Sequence, residues 1–165
     1  MLDEAEVVIA QNGDQFDIKM INTEFIKHKM KPPSPYITID TLKAARRAFR
    51  FPSNKLDDLG DQLEEGRKLE HEGKGLWKKC LEGDLRAWSK MKRYNRQDVL
   101  LLERVYKRFL PWLRSASQIV KTGINCVRCG SAKMLSQGTR KRASGIVYQQ
   151  FQCGSCGGWQ SVKKS

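Results

Sequence analysis

The chain has 165 residues and a mass of 19.0 kDa, enough for one ordinary domain or for a small domain with an added module. It carries 31 Lys and Arg against 18 Asp and Glu, a formal charge of +13, so we expect a polyanionic partner, most simply nucleic acid. No apolar run approaches the ~18 residues of a membrane span. The first residues lack the pattern of a secretory signal, so the sequence predicts a cytoplasmic protein with no membrane partner.

The charge is divided unevenly along the chain. Residues 1–116 contain 23 basic residues and all 18 acidic ones, whereas residues 117–165 contain eight basic residues and no acidic one. The four cysteines that occur in pairs also lie in the second part. These shifts predict a larger domain at 1–116, a linker at 117–123 and a small cysteine-bearing module at 124–165.

The larger part begins with an apolar run at 6–10 that predicts a buried strand, followed by the turn signal Gln11-Asn12-Gly13. The elements expected next, in chain order, are a helix at 16–29, a strand at 36–39, helices at 41–49 and 56–63, two short helical pieces within 73–88 and a long helix at 93–113. Strand, helix, strand and then several helices indicate an α/β fold with a small sheet. The lone Cys80 is expected to be a small buried apolar residue.

Two carboxylates of this part are candidate functional groups. Asp98 shares an apolar helical stripe with Tyr94, Leu101, Leu102, Val105, Phe109 and Trp112, and a carboxylate on an inward face needs a partner or a cation. Tyr94 lies one turn earlier, so its hydroxyl and the Asp98 carboxylate can converge on one point. The alternative for Asp98 is a structural role, such as a helix cap or an ion pair. Asp17 opens a helix, where an acid is favourable by itself.

The C-terminal module contains two CxxC pairs, Cys126-Val-Arg-Cys129 and Cys153-Gly-Ser-Cys156. Four thiolates on two tight turns suit a tetrahedral structural Zn²⁺. With strands expected at 146–152 and 159–163, the pattern predicts a β zinc ribbon. Two disulfides are the alternative, and a redox CxxC lacks its usual βαβ context.

The module is also a candidate nucleic-acid contact. Arg140, Lys141 and Arg142 are expected in the loop between the cysteine pairs, and Tyr148, Phe151 and Trp159 can pack in the module or stack on bases. A solvated basic loop and a surface that docks a protein such as a polymerase are the alternatives.

The motifs of the larger part resemble a known enzyme family. Gln11-Asn12-Gly13-x-x-Phe16-Asp17 and Tyr94-Asn95-x-x-Asp98 resemble the second and third motifs of the DEDD superfamily of 3′–5′ exonucleases, in its tyrosine-bearing (DEDDy) branch. Segments 39–42 and 75–77 are similar to those of phage and bacterial members. The resemblance covers residues 1–113 and implies a ribonuclease H-like fold.

The same resemblance implies a reaction and roles for individual residues. The reaction is hydrolysis of a terminal phosphodiester of DNA or RNA, with DNA favoured, by two Mg²⁺ or Mn²⁺ ions. Asp17 and Asp98 would bind these metals, Tyr94 would orient the attacking water, and Asn12 would fix the loop or touch the terminal nucleotide. Asp40 is expected to support the fold. In a phage protein the location would be the host cytoplasm.

The chain departs from the family in two ways. Gln11 stands where the family often has His, and the first motif, Asp-x-Glu on the first strand, is absent. We therefore expect a ribonuclease H-like exonuclease domain that lacks its first strands, with a mostly helical remainder and the ribbon. The chain would be a fragment, one half of a split enzyme that needs a separate N-terminal fragment, or a degenerate relative that binds nucleic acid without cutting it.

Overall fold

The computed structural model describes residues 2–69, 73–113, 125–141 and 144–164. They belong to two compact units, Met1–Tyr106 and Lys107–Ser165. The first unit is an α/β structure, and the second is built around a small antiparallel sheet. The linker predicted at 117–123 lies outside the described residues.

The first unit begins with a strand–helix–strand crossover. Strands β1 (Val7–Ala10) and β2 (Ile37–Asp40) pair in parallel, from Val7 opposite Ile37 to Ala10 opposite Asp40. A parallel pair needs a connection that returns to the starting edge, and helix α1 (Asp17–Lys27) forms part of it. The carboxyl ends of both strands therefore lie at the same edge, beside the turn that follows β1.

Within the described residues, four further helices follow β2. They are α2 (Thr41–Ala48), α3 (Leu56–Gln62), α4 (Lys74–Leu81) and α5 (Leu85–Phe109), and a 3-10 turn, Leu110–Trp112, comes after α5. The prediction of two short helical pieces within 73–88 was wrong for the second piece, which forms the start of α5. Asp84 explains the early start, since its carboxylate accepts the N–H groups of Arg86 at 2.8 Å and Ala87 at 3.2 Å.

The apolar stripe of α5 is largely buried. Leu101 and Val105 are buried in the core together with Leu59 of α3. The stripe was predicted to continue to Trp112, but that side chain is 68% exposed. The reason is that α5 ends at Phe109, so the helical period no longer applies in the 3-10 turn, which contains Pro111.

A second apolar cluster lies at the start of α5. It contains Leu76 and Cys80 of α4 and Ala87 and Met91 of α5, and Tyr94 packs against it. Cys80 is only 4% exposed, which confirms the expected role as a small buried apolar residue. This packing fixes one side of the Tyr94 ring while its hydroxyl makes the polar contact described below.

The second unit contains strands β3 (Met134–Lys141), β4 (Val147–Cys153) and β5 (Trp159–Lys163), which pair antiparallel in that order. The last two strands were predicted, but β3 was not, and the loop expected to carry Arg140 and Lys141 is wrong because both belong to β3. The sequence pattern of this strand is interrupted by a bulge, where the register shifts between Ser136 and Thr139 and Gly138 has φ +83°. The strand therefore lacks the regular alternation that would have predicted it. Arg142 lies outside the described residues.

No helix within the described ranges is both long enough and apolar enough to cross a membrane.

Candidate functional site

The turn between β1 and α1 depends on a close backbone approach. Asn12 has φ +60°, in the left-handed region, and Gly13 follows it in a buried position. A Cβ on Gly13 would lie 2.3 Å from the Cβ of Ala10, far inside contact distance, so a glycine is required there. The tight turn places Asp17 at the first position of α1, near the carboxyl end of β1.

Asp40 ties this turn to the next element. Its Oδ1 atom accepts the backbone N–H groups of Asn12 at 3.0 Å, Leu42 at 3.0 Å and Lys43 at 3.3 Å. The Oδ2 atom accepts the N–H of Asp14 at 3.4 Å. Asp40 is therefore the N-cap of α2 and the anchor of the β1–α1 turn, which is the fold-supporting role expected for it.

Gln11 has a positioning role that the sequence did not indicate. Its Nε2 atom donates to the carbonyl oxygen of Asn54 at 2.8 Å, and its Oε1 atom accepts from the Thr41 hydroxyl. The Thr41 hydroxyl also lies 3.1 Å from the carbonyl oxygen of Ala10. These contacts join the end of β1 to the start of α2 and to the segment before α3.

The joined elements surround an open cleft of about 800 Å³. Asp17 and Asp98, which are far apart in the sequence, both line this cleft, and Asn12 lines it as well. The cleft is lined by Ile9, Ala10, Gln11, Asn12, Asp17, Leu42, Arg46, Pro52, Ser53, Asn54, Lys55, Leu56, Lys68, Asp98, Val99 and Leu102. The structure thus brings the two candidate carboxylates to one cavity.

The Asp98 carboxylate has a lysine partner. Lys68 Nζ lies 2.6 Å from Asp98 Oδ2 and donates to the Tyr94 hydroxyl oxygen at 3.0 Å. The same ammonium lies 5.3 Å from the centre of the Tyr94 ring. The Tyr94 hydroxyl and the Asp98 carboxylate therefore converge on one point, which the Lys68 ammonium occupies. Asp98 Oδ1 is buried and has no hydrogen-bond partner among the described residues.

Lys68 is positioned by the acids of α3. Its backbone N–H donates to Asp57 Oδ1 at 2.8 Å, and the neighbouring Arg67 lies 3.1 Å from Asp57 and 2.6 Å from Asp61. Burial alone would lower the pKa of Lys68, but its hydrogen bonds to Asp98 and Tyr94 outweigh burial and raise it. Lys68 is therefore a fixed positive charge inside the cleft at neutral pH.

This part of the chain matches the model of a known protein family. A family model described as the RNase H superfamily matches residues 1–110. The chain belongs to the RNase H superfamily. Neither a curated protein nor a solved structure was found to match it.

Enzymes with the RNase H fold generally use divalent metals, so the donors of the cleft can be compared with that requirement. Among the described cleft residues, Asp17 and Asp98 are the carboxylates, and the buried Oδ1 of Asp98 is an unused oxygen donor. Mg²⁺ is commonly held by one or two carboxylates together with water and substrate phosphate. Two carboxylates in one cleft supply the donor set of one divalent ion, with Lys68 as a competitor at Asp98, and a second ion would need further carboxylates.

A second candidate metal site lies in the C-terminal unit. The Sγ atoms of Cys126, Cys129, Cys153 and Cys156 all lie within 4.8 Å of one another. Two of the separations are 3.7 Å, between Cys126 and Cys156, and 3.6 Å, between Cys129 and Cys153. A tetrahedral site with Zn–S bonds of about 2.3 Å requires Sγ atoms about 3.8 Å apart. The four cysteines are unpaired by disulfides, and their geometry fits one zinc ion.

The thiols of this cluster differ in acidity. Burial opposes ionisation of Cys153, but backbone N–H groups of Cys156 and Ser155 face its Sγ and lower its pKa to about 6. For Cys156, burial is the main cause of a pKa raised to about 12. Cys153 is therefore a thiolate at neutral pH, the form in which cysteine binds zinc.

The other candidate residues lie apart from the cleft walls or outside the description. Tyr94 is not among the described residues that line the cleft; its hydroxyl contacts Lys68, which does line it, and its ring packs against the second apolar cluster. Arg140 and Lys141 are exposed on β3 of the C-terminal unit.

Proposed function

We propose that the chain is a metal-dependent 3′–5′ exonuclease that hydrolyses the terminal phosphodiester of a nucleic acid. The observation that carries this proposal is that Asp17 and Asp98 both line one cleft of the RNase H-like domain. Their positions after β1 and on α5 agree with the resemblance to the second and third DEDDy motifs. The cleft is open, as the entry of a chain end requires.

Each of these residues would have its own role in the hydrolysis of the phosphodiester. Asp17 and Asp98 would hold Mg²⁺ or Mn²⁺, which supplies Lewis-acid stabilisation of the charge that develops on the phosphate oxygens. Asn12 would contact the terminal nucleotide, and Arg46 would attract its phosphate. The Tyr94 hydroxyl would orient the attacking water, either alongside its hydrogen bond from Lys68 or after that hydrogen bond breaks. A second ion requires carboxylates beyond these two, which a second polypeptide such as a separate exonuclease fragment would supply.

The C-terminal unit would act as a zinc ribbon that grips the same nucleic acid. Four cysteines fit one Zn²⁺, and residues 117–165 contain eight basic residues and no acidic one, so the unit carries an unopposed positive charge. Arg140, Lys141 and Arg142 are the proposed phosphate contacts. Zinc would supply much of the folding free energy of so small a unit.

The test is cleavage of 5′-labelled single-stranded DNA and RNA by the zinc-loaded full chain, with added Mg²⁺ or Mn²⁺. We expect products that shorten stepwise from the 3′ end, and Asp98→Asn is expected to abolish them. Glu103→Gln, an exposed acid on the same helix and outside the cleft, is the matched control and should remain active. Full activity of Asp98→Asn would contradict the assigned site.

The ion pair between Lys68 and Asp98 favours a second candidate function. A carboxylate already neutralised by an ammonium 2.6 Å away is a poorer metal ligand, and two carboxylates are few for nuclease chemistry. The second candidate is a nucleic-acid-binding protein of the RNase H superfamily that does not cut. It predicts salt-sensitive binding and no cleavage with Mg²⁺ or Mn²⁺, even when carboxylate-bearing partners are added.

A further inference from the structure

Strand pairing sorts the side chains of the C-terminal sheet onto two faces. Residues directly opposite each other in an antiparallel pair share a face, and alternate residues along one strand do so as well. On one face the pairing with β4 produces three cross-strand rows, which we call the aromatic face: Arg140–Tyr148–Lys163, Gln150–Ser161 and Leu135–Gln152–Trp159. The hydroxyl of Ser161 donates to Gln150 Oε1 at 3.1 Å, which agrees with this assignment.

The opposite face has a different role. It carries Cys153, which is 1% exposed, and Phe151, which is half-buried. Because Cys153 is one of the four zinc-compatible cysteines, this face belongs to the candidate metal site and its packing. Cys153 does not lie on the aromatic face, where Trp159 is 49% exposed and Leu135 is 55% exposed.

The aromatic face combines the groups that single-stranded nucleic acid needs. Tyr148 lies between two cations, because Arg140 and Lys163 are its partners on either side. Trp159 occupies the other end of the face, about 14 Å away along the strands at the usual rise per residue. Between them are hydrogen-bonding side chains, Gln150, Gln152 and Ser161. Aromatic rings that receive bases, flanked by cations that receive phosphates, are typical of single-strand binding surfaces.

We infer that the aromatic face binds single-stranded nucleic acid, with one base stacked on Tyr148 and another on Trp159. A duplex hides the faces of its bases inside the stack, so it could use the cations of this face but not its rings. Residues 117–165 contain no acidic residue, which removes the repulsion that an acid would exert on phosphates. This inference rests on the proposed nucleic-acid function and names the form of the ligand.

The test measures binding of a fluorescent oligothymidylate and an oligouridylate by anisotropy, using the zinc-loaded full chain without Mg²⁺. Tyr148→Ala and Trp159→Ala are each expected to weaken binding about tenfold or more, the usual effect of losing one stacked base. Trp159→Phe keeps a ring and should bind within about threefold of the native chain. Zinc content is measured for every variant, so that loss of the fold is not mistaken for loss of stacking.

Two matched controls separate the aromatic face from general effects. Val162→Ala removes an exposed apolar side chain of the same strand from the opposite face and should leave affinity unchanged. Lys163→Gln should weaken binding and reduce its salt dependence more than Lys164→Gln, the same charge change one residue on. Equal losses in Trp159→Ala and Val162→Ala, or a duplex bound as tightly as the single strand with the same ring dependence, would overturn the inference.

The result is distinguishable from that of the nuclease test. Cleavage that depends on Asp98 with normal binding by the ring variants would refute the inference alone. Ring-dependent binding without any cleavage would refute the nuclease proposal alone and favour the non-cutting candidate.

Discussion

Lys68 and Asp98 form an ion pair with Nζ 2.6 Å from Oδ2, inside the cleft where the catalytic carboxylates are proposed to act. The side chains are 30% and 20% exposed, so solvent screens this pair less than it screens a surface pair. The ammonium also reaches the Tyr94 hydroxyl, at 3.0 Å. Lys68 thus supplies the positive charge that the inward Asp98 requires.

Lys68→Met is expected to lower the free energy of unfolding by about 1–3 kcal/mol, because it leaves a partly buried carboxylate without its charged hydrogen-bond donor. Urea denaturation of the zinc-loaded chain measures the change. Lys55→Met, which alters an exposed lysine of the same cleft, should change stability by no more than about 0.5 kcal/mol. Equal effects of the two variants would show that the ion pair does not stabilise the fold.

Lys68→Met is also expected to change how the cleft binds Mg²⁺. Removal of the competing charge should let Mg²⁺ bind the Asp98 carboxylate more tightly, so Mg²⁺ should raise the Tm of Lys68→Met more than that of the native chain. The extra rise should vanish in the double variant that also carries Asp98→Asn. A Tm response to Mg²⁺ that is the same with and without Lys68 would contradict the competition.

The sequence predicted the strand–helix–strand order and the two candidate carboxylates, but it predicted neither the parallel pairing of β1 with β2 nor the lysine that pairs with Asp98. Strands β1 and β2 followed from short apolar runs bounded by turn and proline signals, and Asp98 followed from the 3.6-residue period of α5. Lys68 could not be found in this way, because its contact with Asp98 depends on how Asp57 and Asp61 hold the segment after α3. The inward position of Asp98 indicated that its carboxylate needs a partner, but the sequence did not indicate that Lys68 is this partner.

The C-terminal sheet shows a second limit of sequence patterns. The cysteine spacing predicted the cluster that the structure shows, and β5 was predicted with its observed bounds. Strand β3 was missed because a bulge at Gly138 breaks the alternation on which strand recognition depends. Only the register revealed that Arg140 faces the same side as Tyr148, while the next residue, Lys141, faces the other.

Asp40→Ala is expected to cost about 2–3 kcal/mol of stability, because it removes a helix cap and also releases the N–H groups of the β1–α1 turn. Asp84→Ala removes the cap of α5 alone, which should cost about 1 kcal/mol. Thermal unfolding of both variants measures the difference. If the two losses are the same, Asp40 does not hold the turn in solution.

Gly13→Ala tests the close approach at the start of the cleft. The added methyl group would lie 2.3 Å from the Ala10 Cβ, so the turn must shift, at a cost of about 1–3 kcal/mol. Gly75→Ala adds the same group in α4, where no atom of a described residue outside the local helix backbone lies within 4 Å, and it should stabilise the chain by about 0.5–1 kcal/mol. Opposite signs of the two changes in urea denaturation are the expected result, and a stabilising Gly13→Ala would contradict the packing of the turn.

Zinc affinity is expected to fall as the pH falls, because each cysteine ligand must lose its proton before it binds the metal. Cys153, with a pKa of about 6, is already a thiolate at pH 7.5, whereas Cys156, with a pKa of about 12, still has a proton to release. Below pH 6 the metal-free Cys153 is protonated too, so one more proton is released per zinc bound. The plot of log affinity against pH should therefore become steeper by one unit below pH 6.

Competition with a chromophoric chelator across pH 5–8 measures this slope on the full chain. Removal of zinc should also unfold the C-terminal sheet while helical circular dichroism is largely retained, since the helices belong to the other unit apart from the end of α5. Cys80→Ala is the matched control, because Cys80 is buried in the α4–α5 cluster and is not a member of the four-cysteine group. A constant slope through pH 6 would show that Cys153 has no lowered pKa, and a zinc affinity reduced by Cys80→Ala would show that the ligand set is wrong.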